Sequence, residues 1–376
     1  MQDKKLFSNL PWGMVGLVLG IALIGLAAVY SATYTSRGPS TLFYKQIIWI
    51  CVGLVVMFSA TIPDYHTVGR YAYILYAISL ILLILVMVMG RTGMGAQRWL
   101  AIGPFAFQPS ELAKLSLTLA LARYFAEDPR RGGYSLSDLT VPAIMILLPL
   151  MLVLKQPDLG TALMLLMTSS LIIMLAGVRI KSVLVVLIIG ATIASSVFLV
   201  SPVRNKIWRS LKPYQQKRIM AFVDPGADPL GSGYHASQSK IAVGSGQITG
   251  KGFRKGTQSQ MAFLPERHTD FIFAVISEER GFLGAGLMVL LYLALMMVGI
   301  DAAKGAKDRL GALMAGGIVS MISLYVFINI GMAVGIMPVV GVPLPLASYG
   351  GTSIITTFLA LGLLLNIQSR RFMLFY

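Results

Sequence analysis

Between Ala242 and Gly281 the chain reads AVGSGQITGKGFRKGTQSQMAFLPERHTDFIFAVISEERG, a polar, glycine-rich and charged stretch in an otherwise apolar sequence. It sets Lys251, Arg254, Lys255 and Arg267 close to Glu266 and Asp270. Cations hold phosphate and a carboxylate can accept a proton, so this mixture suits chemistry on an anionic, hydroxyl-bearing substrate. The glycines would also let backbone N–H groups face a phosphate. Asp270 leads the candidates. It reads equally as a proton acceptor or as the N-cap of the apolar helix that Phe271–Arg280 should form before Gly281. An ordinary aspartate, with a pKa of about 3.9, is a weak base at neutral pH. Apolar burial would raise that value, whereas Arg267 or a helix N-terminus would lower it. The four cations fit a solvated surface patch as well as a phosphate site.

Further ionisable groups stand at the mouths of apolar runs. Glu111 and Lys114, in QPSELAKL, are three apart and share a helix face. Asp158 opens the next-but-one run in KQPDLGTA. At membrane depth each such charge costs roughly 2.5–3.5 kcal/mol unless paired or wetted. A Lys114–Asp158 pair would relieve that cost, and the residues are read either as functional or as a structural ion pair. Arg98 and Trp99, in GAQRWLAIG, suit a headgroup or sugar clamp, or an interfacial aromatic anchor. GIMPVVGVPLPLASYGGTS is irregular backbone between two spans, tolerated there only if protein buries it or it lines a cavity. His66, His235 and His268 make no metal-ligand spacing. No GxxxxGK[ST] pattern is present, which disfavours nucleotide binding.

The elements that must position these groups are membrane helices. Of 376 residues 56% are hydrophobic and 12% charged, against about 25% charged in a soluble domain. The sequence predicts an all-α polytopic membrane protein, a single integral membrane domain over 1–376. Its ten spans run roughly 10–31, 43–62, 70–90, 110–126, 139–155, 159–177, 182–200, 282–300, 309–330 and 350–367. The first run lacks a small-residue cleavage site and reads as an ordinary span. The fourth and fifth are short, which predicts packing inside the bundle. An even number of spans leaves both termini on one side. With that side cytoplasmic, its segments hold Lys4, Lys5, Arg70, Arg123, Arg130, Arg131, Arg179, Lys181, Lys304, Lys307, Arg309, Arg370 and Arg371. The short loops opposite hold only Arg37, Lys45, Arg91, Arg98 and Lys155. That bias places both ends in the cytoplasm and the 201–281 loop outside. Residues 201–220, mixing six cations with Ile207, Trp208, Leu211 and Tyr214, read as an amphipathic segment in the headgroup layer, or as a solvated loop. Residues 222–233 carry turn chemistry. A net charge of +16 is explained by cytoplasmic loops and anionic membrane lipids, so no nucleic-acid partner is expected. One cysteine, Cys51, excludes a disulfide framework.

Four of these stretches together carry a resemblance. GAQRWLAIGPFAFQPSELAKL, KQPDLGTAL, the segment from Gly244 to Gly281, and GVPLPLASYGGTS make the chain resemble the SEDS family (shape, elongation, division and sporulation) over nearly its whole length. Arg267 in LPERHTDF and the VPLP lead into SYGG look more like the elongation, RodA-type branch than the division, FtsW-type one. The resemblance implies a ten-span peptidoglycan glycosyltransferase that polymerises lipid II beside a class B penicillin-binding protein. It implies Asp270 as the catalytic carboxylate, functional importance for Lys114 and Asp158, and a role for Trp99 in activity or its regulation. The expected reaction is inverting: Asp270 takes the proton of the acceptor 4-hydroxyl as it attacks the donor's anomeric carbon. Lys251, Arg254, Lys255 and Arg267 would offset charge on the departing pyrophosphate, a task a divalent cation could share. The competing readings are a lipid II flippase, a scaffold for the penicillin-binding protein, and the division-type paralogue.

Overall fold

The structure is a computed structural model that describes residues 10–35, 38–93, 96–102, 105–130, 132–199, 216, 232–261, 263–264 and 266–371. The basic 201–220 segment, Gln216 apart, and the turn-rich 222–231 stretch lie outside the described residues, as do Lys4, Lys5, Arg37 and Arg131. The chain is a helical bundle. Its helices are α1 (Trp12–Thr33), α2 (Thr41–Ser59), the short α3 (Tyr65–Arg70), α4 (Ala72–Met89), α5 (Pro109–Glu127), α6 (Thr140–Lys155), α7 (Leu159–Ala176), α8 (Ile180–Leu199), α9 (Ser232–Ser245), the one-turn α10 (Thr257–Gln260), α11 (Ile272–Lys304), α12 (Arg309–Val334) and α13 (Gly351–Ser369). Among the described residues eight helical segments are long and apolar enough to cross a bilayer. This is a multi-pass membrane protein.

Which helices face lipid follows from what their sequences can bury. α5 carries Ser110, Glu111, Lys114, Ser116 and Thr118, too polar for hydrocarbon, and all five are buried in the bundle centre. There Ser116 donates to Ser79 at 2.8 Å and Thr118 back-bonds to the Lys114 carbonyl at 2.8 Å, so each hydroxyl is satisfied without water. α6, expected to pack inside like α5, instead exposes Val141, Ile144, Leu147, Leu148 and Met151. α12 and α13 are mostly buried and form the bundle's axis.

Two ends of the bundle can be told apart by their contacts. At one, the Arg309 guanidinium donates to the Phe125 carbonyl at 3.0 Å and the Ala176 carbonyl at 2.8 Å, satisfying carbonyls in the last turns of α5 and α7. The starts of α5 and α7 and the end of α12 therefore meet at the opposite end. A small antiparallel sheet, not expected in an all-α chain, lies there: β1 (Arg91–Gly93), β2 (Ala96–Ile102) and β3 (Phe105–Phe107), with Arg91 opposite Trp99 and Leu100 opposite Phe107.

α11 is two helices. Gly281 has φ 64° and ψ −161° and breaks the run, so Ile272–Arg280 is a short buried helix and 282–304 a membrane span. Only glycine fits: the backbone is left-handed, and a Cβ there would stand 2.5 Å from the Ile248 carbonyl. The glycine-rich 246–252 segment packs into this break. Lys251 and Gly252 donate their N–H groups to the Glu278 and Glu279 carbonyls, both at 3.0 Å. Phe282 and Leu283 return bonds to Gln247 and Ile248 at 2.7 and 3.1 Å. These amides cap a helix C-terminus and are not presented to a phosphate.

Candidate active site

A cavity of about 310 Å³ opens where the β-sheet, the starts of α5 and α7, the end of α12 and the 338–350 loop converge. It is lined by Arg98, Trp99, Glu111, Lys114, Asp158 and Asp270, six of the residues singled out in the sequence. Gln108, Thr161, Glu266, Thr269, Tyr325, Gly341 and Tyr349 complete much of its polar wall.

Lys114 does not pair with Asp158. Its ammonium donates to Glu111 Oε1 at 2.7 Å and contacts the Tyr325 hydroxyl, which in turn donates to Glu111 Oε2 at 2.8 Å. The three-residue spacing puts Glu111 one turn before Lys114, closer than any group on α7. The carboxylate orients the lysine. Asp158 has other work. It N-caps α7, accepting from the Thr161 N–H at 3.1 Å and the Thr161 hydroxyl at 2.9 Å, and faces Arg98 Nε at 3.6 Å. Arg98 also donates to the Gln156 and Pro157 carbonyls, so β2 is tied to the turn before α7. Arg98 and Lys114 are the lysine and arginine side chains lining the cavity.

Phe271 occupies the N-cap position of α11, and Asp270, one residue before it, lines the cavity. The backbone N–H groups of Thr269, Asp270 and Phe271 all converge on the Glu266 carbonyl, at 3.1, 3.1 and 3.4 Å. That turn ends the approach to α11. Gly341, at φ 74°, lies against it: a Cβ at this position would be 3.3 Å from Asp270 Oδ2.

The four cations of the polar stretch line no part of the cavity. Lys251 is spent on Glu278, a wholly buried carboxylate that it meets at 2.8 Å. The Arg254 guanidinium stacks over the Tyr34 ring, 3.4 Å from its centroid. Arg267 donates to the Ser259 carbonyl, and burial lowers its pKa. Lys255 is exposed on the loop surface. Lys251, Arg254 and Lys255 lie away from the cavity because the Gly281 break holds the 247–252 backbone against residues 278–283, at the far end of the short helix.

Sequence reasoning missed Tyr325, Asn329 and Glu278. Tyr325 and Asn329 were discoverable as polar residues four apart on one face of an otherwise apolar span, where an amide is costly without partners. Glu278 stands in the apolar AVISEERG run and carries the same signal. Among the described residues no group of three or more His, Cys, Asp and Glu could hold a metal ion. The cavity carboxylates of Glu111 and Asp158 are already engaged by Lys114, Arg98 and Thr161.

The chain is similar to known proteins in sequence and in fold. The family model FTSW_RODA_SPOVE, described as cell cycle protein, matches residues 9–372. The chain belongs to this family. A similar family member is the peptidoglycan glycosyltransferase MrdB of Escherichia coli K12, 42% identical, with 99% of this chain and 98% of the relative covered. The family's fold is also seen in a chain of a peptidoglycan synthase complex that coordinates polymerization and crosslinking. That chain is 34% identical and superposes with a TM-score of 0.81 over 96% of this chain and 98% of its own. The rod shape determining protein RodA of Thermus thermophilus is 32% identical, with a TM-score of 0.70 over 97% of this chain and 98% of its own.

Proposed function

We propose that this family member is a peptidoglycan glycosyltransferase that polymerises lipid II during cell elongation, with Asp270 as the base. The supporting observation is that one cavity, at one end of a membrane bundle, brings Asp270 together with Lys114 and Arg98. A lipid-linked sugar pyrophosphate needs those groups and that depth. The elongation assignment draws on the likeness to MrdB and RodA.

Asp270 takes the proton from the acceptor 4-hydroxyl as that oxygen bonds to the donor's anomeric carbon. The anomeric C–O bond to pyrophosphate breaks, and the α-linked donor yields a β-1,4 bond by inversion. Positive charge fixed before the reaction offsets charge growing on the leaving group. Lys114 and Arg98 supply it, in place of Lys251, Arg254, Lys255 and Arg267. Glu111 and Tyr325 hold the lysine, and Asp158 steadies the arginine. Trp99 offers an aromatic face to sugar or lipid. A divalent cation would arrive with the substrate's pyrophosphate, since the described residues offer it no ready set of oxygen ligands.

The excess of Lys and Arg on one set of loops supports cytoplasmic termini and a cavity opening to the outer face. A class B penicillin-binding protein would cross-link the product, in keeping with the synthase complex to which the chain is similar. The test is purified full-length protein with lipid II. Wild type should make long glycan, and Asp270→Ala should make none while binding lipid II. Glycan of normal length from Asp270→Ala would rule out the base. Lipid II translocation without polymerisation by wild type would favour a flippase.

A further inference from the structure

The segment that carries Asp270 is held from outside itself. Residues 268–270 precede α11, so their carbonyls find no partner within the helix. All three are satisfied in succession by the α12–α13 region. Tyr349 N–H donates to the His268 carbonyl at 2.8 Å, the Ser348 hydroxyl donates to the Thr269 carbonyl, and Asn329 Nδ2 donates to the Asp270 carbonyl at 2.8 Å. Asn329 is wholly buried in α12 and uses its second N–H on the Val342 carbonyl at 2.7 Å. Both partners are acceptors, which fixes which amide atom is nitrogen. Its Oδ1 is buried without a partner. An amide kept at the cost of an unsatisfied oxygen points to work done by its two donors.

One turn earlier on α12, Tyr325 holds the Glu111–Lys114 pair. Residues four apart on a helix share a face. A single rigid helix thus fixes the segment of the carboxylate and a cation of the cavity at a set separation. The bond to Val342 also locks the residue after Gly341, whose Cα side lies against the Asp270 carboxylate.

We propose that Asn329 is a positioning residue that holds Asp270 in register with Lys114 by pinning the Asp270 and Val342 carbonyls to α12. This rests on Asp270 being the base. Asn329 does not line the cavity, so its loss should leave substrate binding intact and degrade the chemistry.

The experiment is steady-state polymerisation and lipid II binding by full-length Asn329→Leu and Asn329→Ser beside Asp270→Ala. Leucine keeps the branched shape and removes both donors; serine can restore one. A misplacement near 1 Å costs about 100-fold in rate, so Asn329→Leu should lose about that in kcat. Its KM and lipid II affinity should stay within about twofold of wild type, and Asn329→Ser should fall between. A kcat within about threefold of wild type, or a matching loss of lipid II binding, would overturn the proposal. Should Asn329→Leu fail to fold, Ser348→Ala tests the same seam at the next carbonyl: the same split supports the proposal and unchanged kcat overturns it. Wild-type turnover by Asp270→Ala would remove the base and this inference together. An inactive Asp270→Ala beside a fully active Asn329→Leu would remove the inference alone.

Discussion

Replacing Glu278 with Gln should release the loop that leads to Asp270. The Glu278 side chain is 0% exposed and accepts four bonds: from Lys251 Nζ at 2.8 Å, Thr257 Oγ1 at 3.1 Å, Gln258 N–H at 2.9 Å and Ser259 N–H at 3.2 Å. Glutamine keeps the shape, but one of its two polar atoms is a donor. Whichever way the amide turns, an NH₂ faces N–H groups or an ammonium. At least one charge-assisted bond is lost, worth about 1.5–3 kcal/mol, and an unmet N–H remains. The Lys251 charge also loses its counter-ion. Breaking a fully buried pair costs about 3–5 kcal/mol, yet the Lys251 side chain is 26% exposed and water recovers part of that. A local cost of about 3 kcal/mol corresponds to about two decades in the opening equilibrium of the α10 loop. The assay is hydrogen exchange. Gln258 and Ser259 amides should exchange about 100-fold faster in Glu278→Gln, while the 272–276 core amides hold their protection. Because the Ser259 carbonyl receives Arg267, polymerisation should also fall. Exchange at Gln258 and Ser259 within about threefold of wild type would refute the idea that this carboxylate anchors the loop.

Gly341→Ala combines a left-handed backbone at φ 74° with a Cβ 3.3 Å from Asp270 Oδ2. The strain costs about 1–2 kcal/mol, and kcat should drop about tenfold with lipid II binding retained; an unchanged kcat would show that the carboxylate tolerates displacement. Burial lowers the His268 pKa below its ordinary 6.5, so the unfolded chain takes up that proton first as pH falls. The His268 contribution is intact above about pH 6.5 and is lost as pH falls toward the folded value. Wild type should therefore lose more thermal stability than His268→Gln between about pH 7.5 and about pH 5.5, and equal losses would contradict this.

Much of the fold was legible because lipid allows few solutions. Apolar runs near the length of a bilayer crossing must be helices, since backbone groups in hydrocarbon have no other partners. Each of the ten expected runs contains a helix. Asp270, Lys114, Asp158, Glu111, Arg98 and Trp99 could be named because charges and an interfacial tryptophan at span ends stand out against hydrocarbon. Their number in one cavity could not be read, nor which cation meets which carboxylate. Lys114 takes Glu111 because one helical turn is nearer than the neighbouring helix. Lys251 and Arg254 point away from Asp270 because Gly281 ends the short helix and folds the glycine-rich loop against that break.

By itself, then, the sequence determined a multi-pass helical protein and singled out the ionisable residues that stand at the ends of its spans. Local periodicity and the cost of charge in lipid are properties of short stretches, and those survive in a linear reading. Tertiary structure alone decided that Arg98 and Lys114, and not the four loop cations, line the cavity with Asp270. It also decided that Asn329, far along the chain on another helix, holds the backbone of that aspartate. Such pairings depend on which helix ends meet, and that is set by packing across the whole bundle.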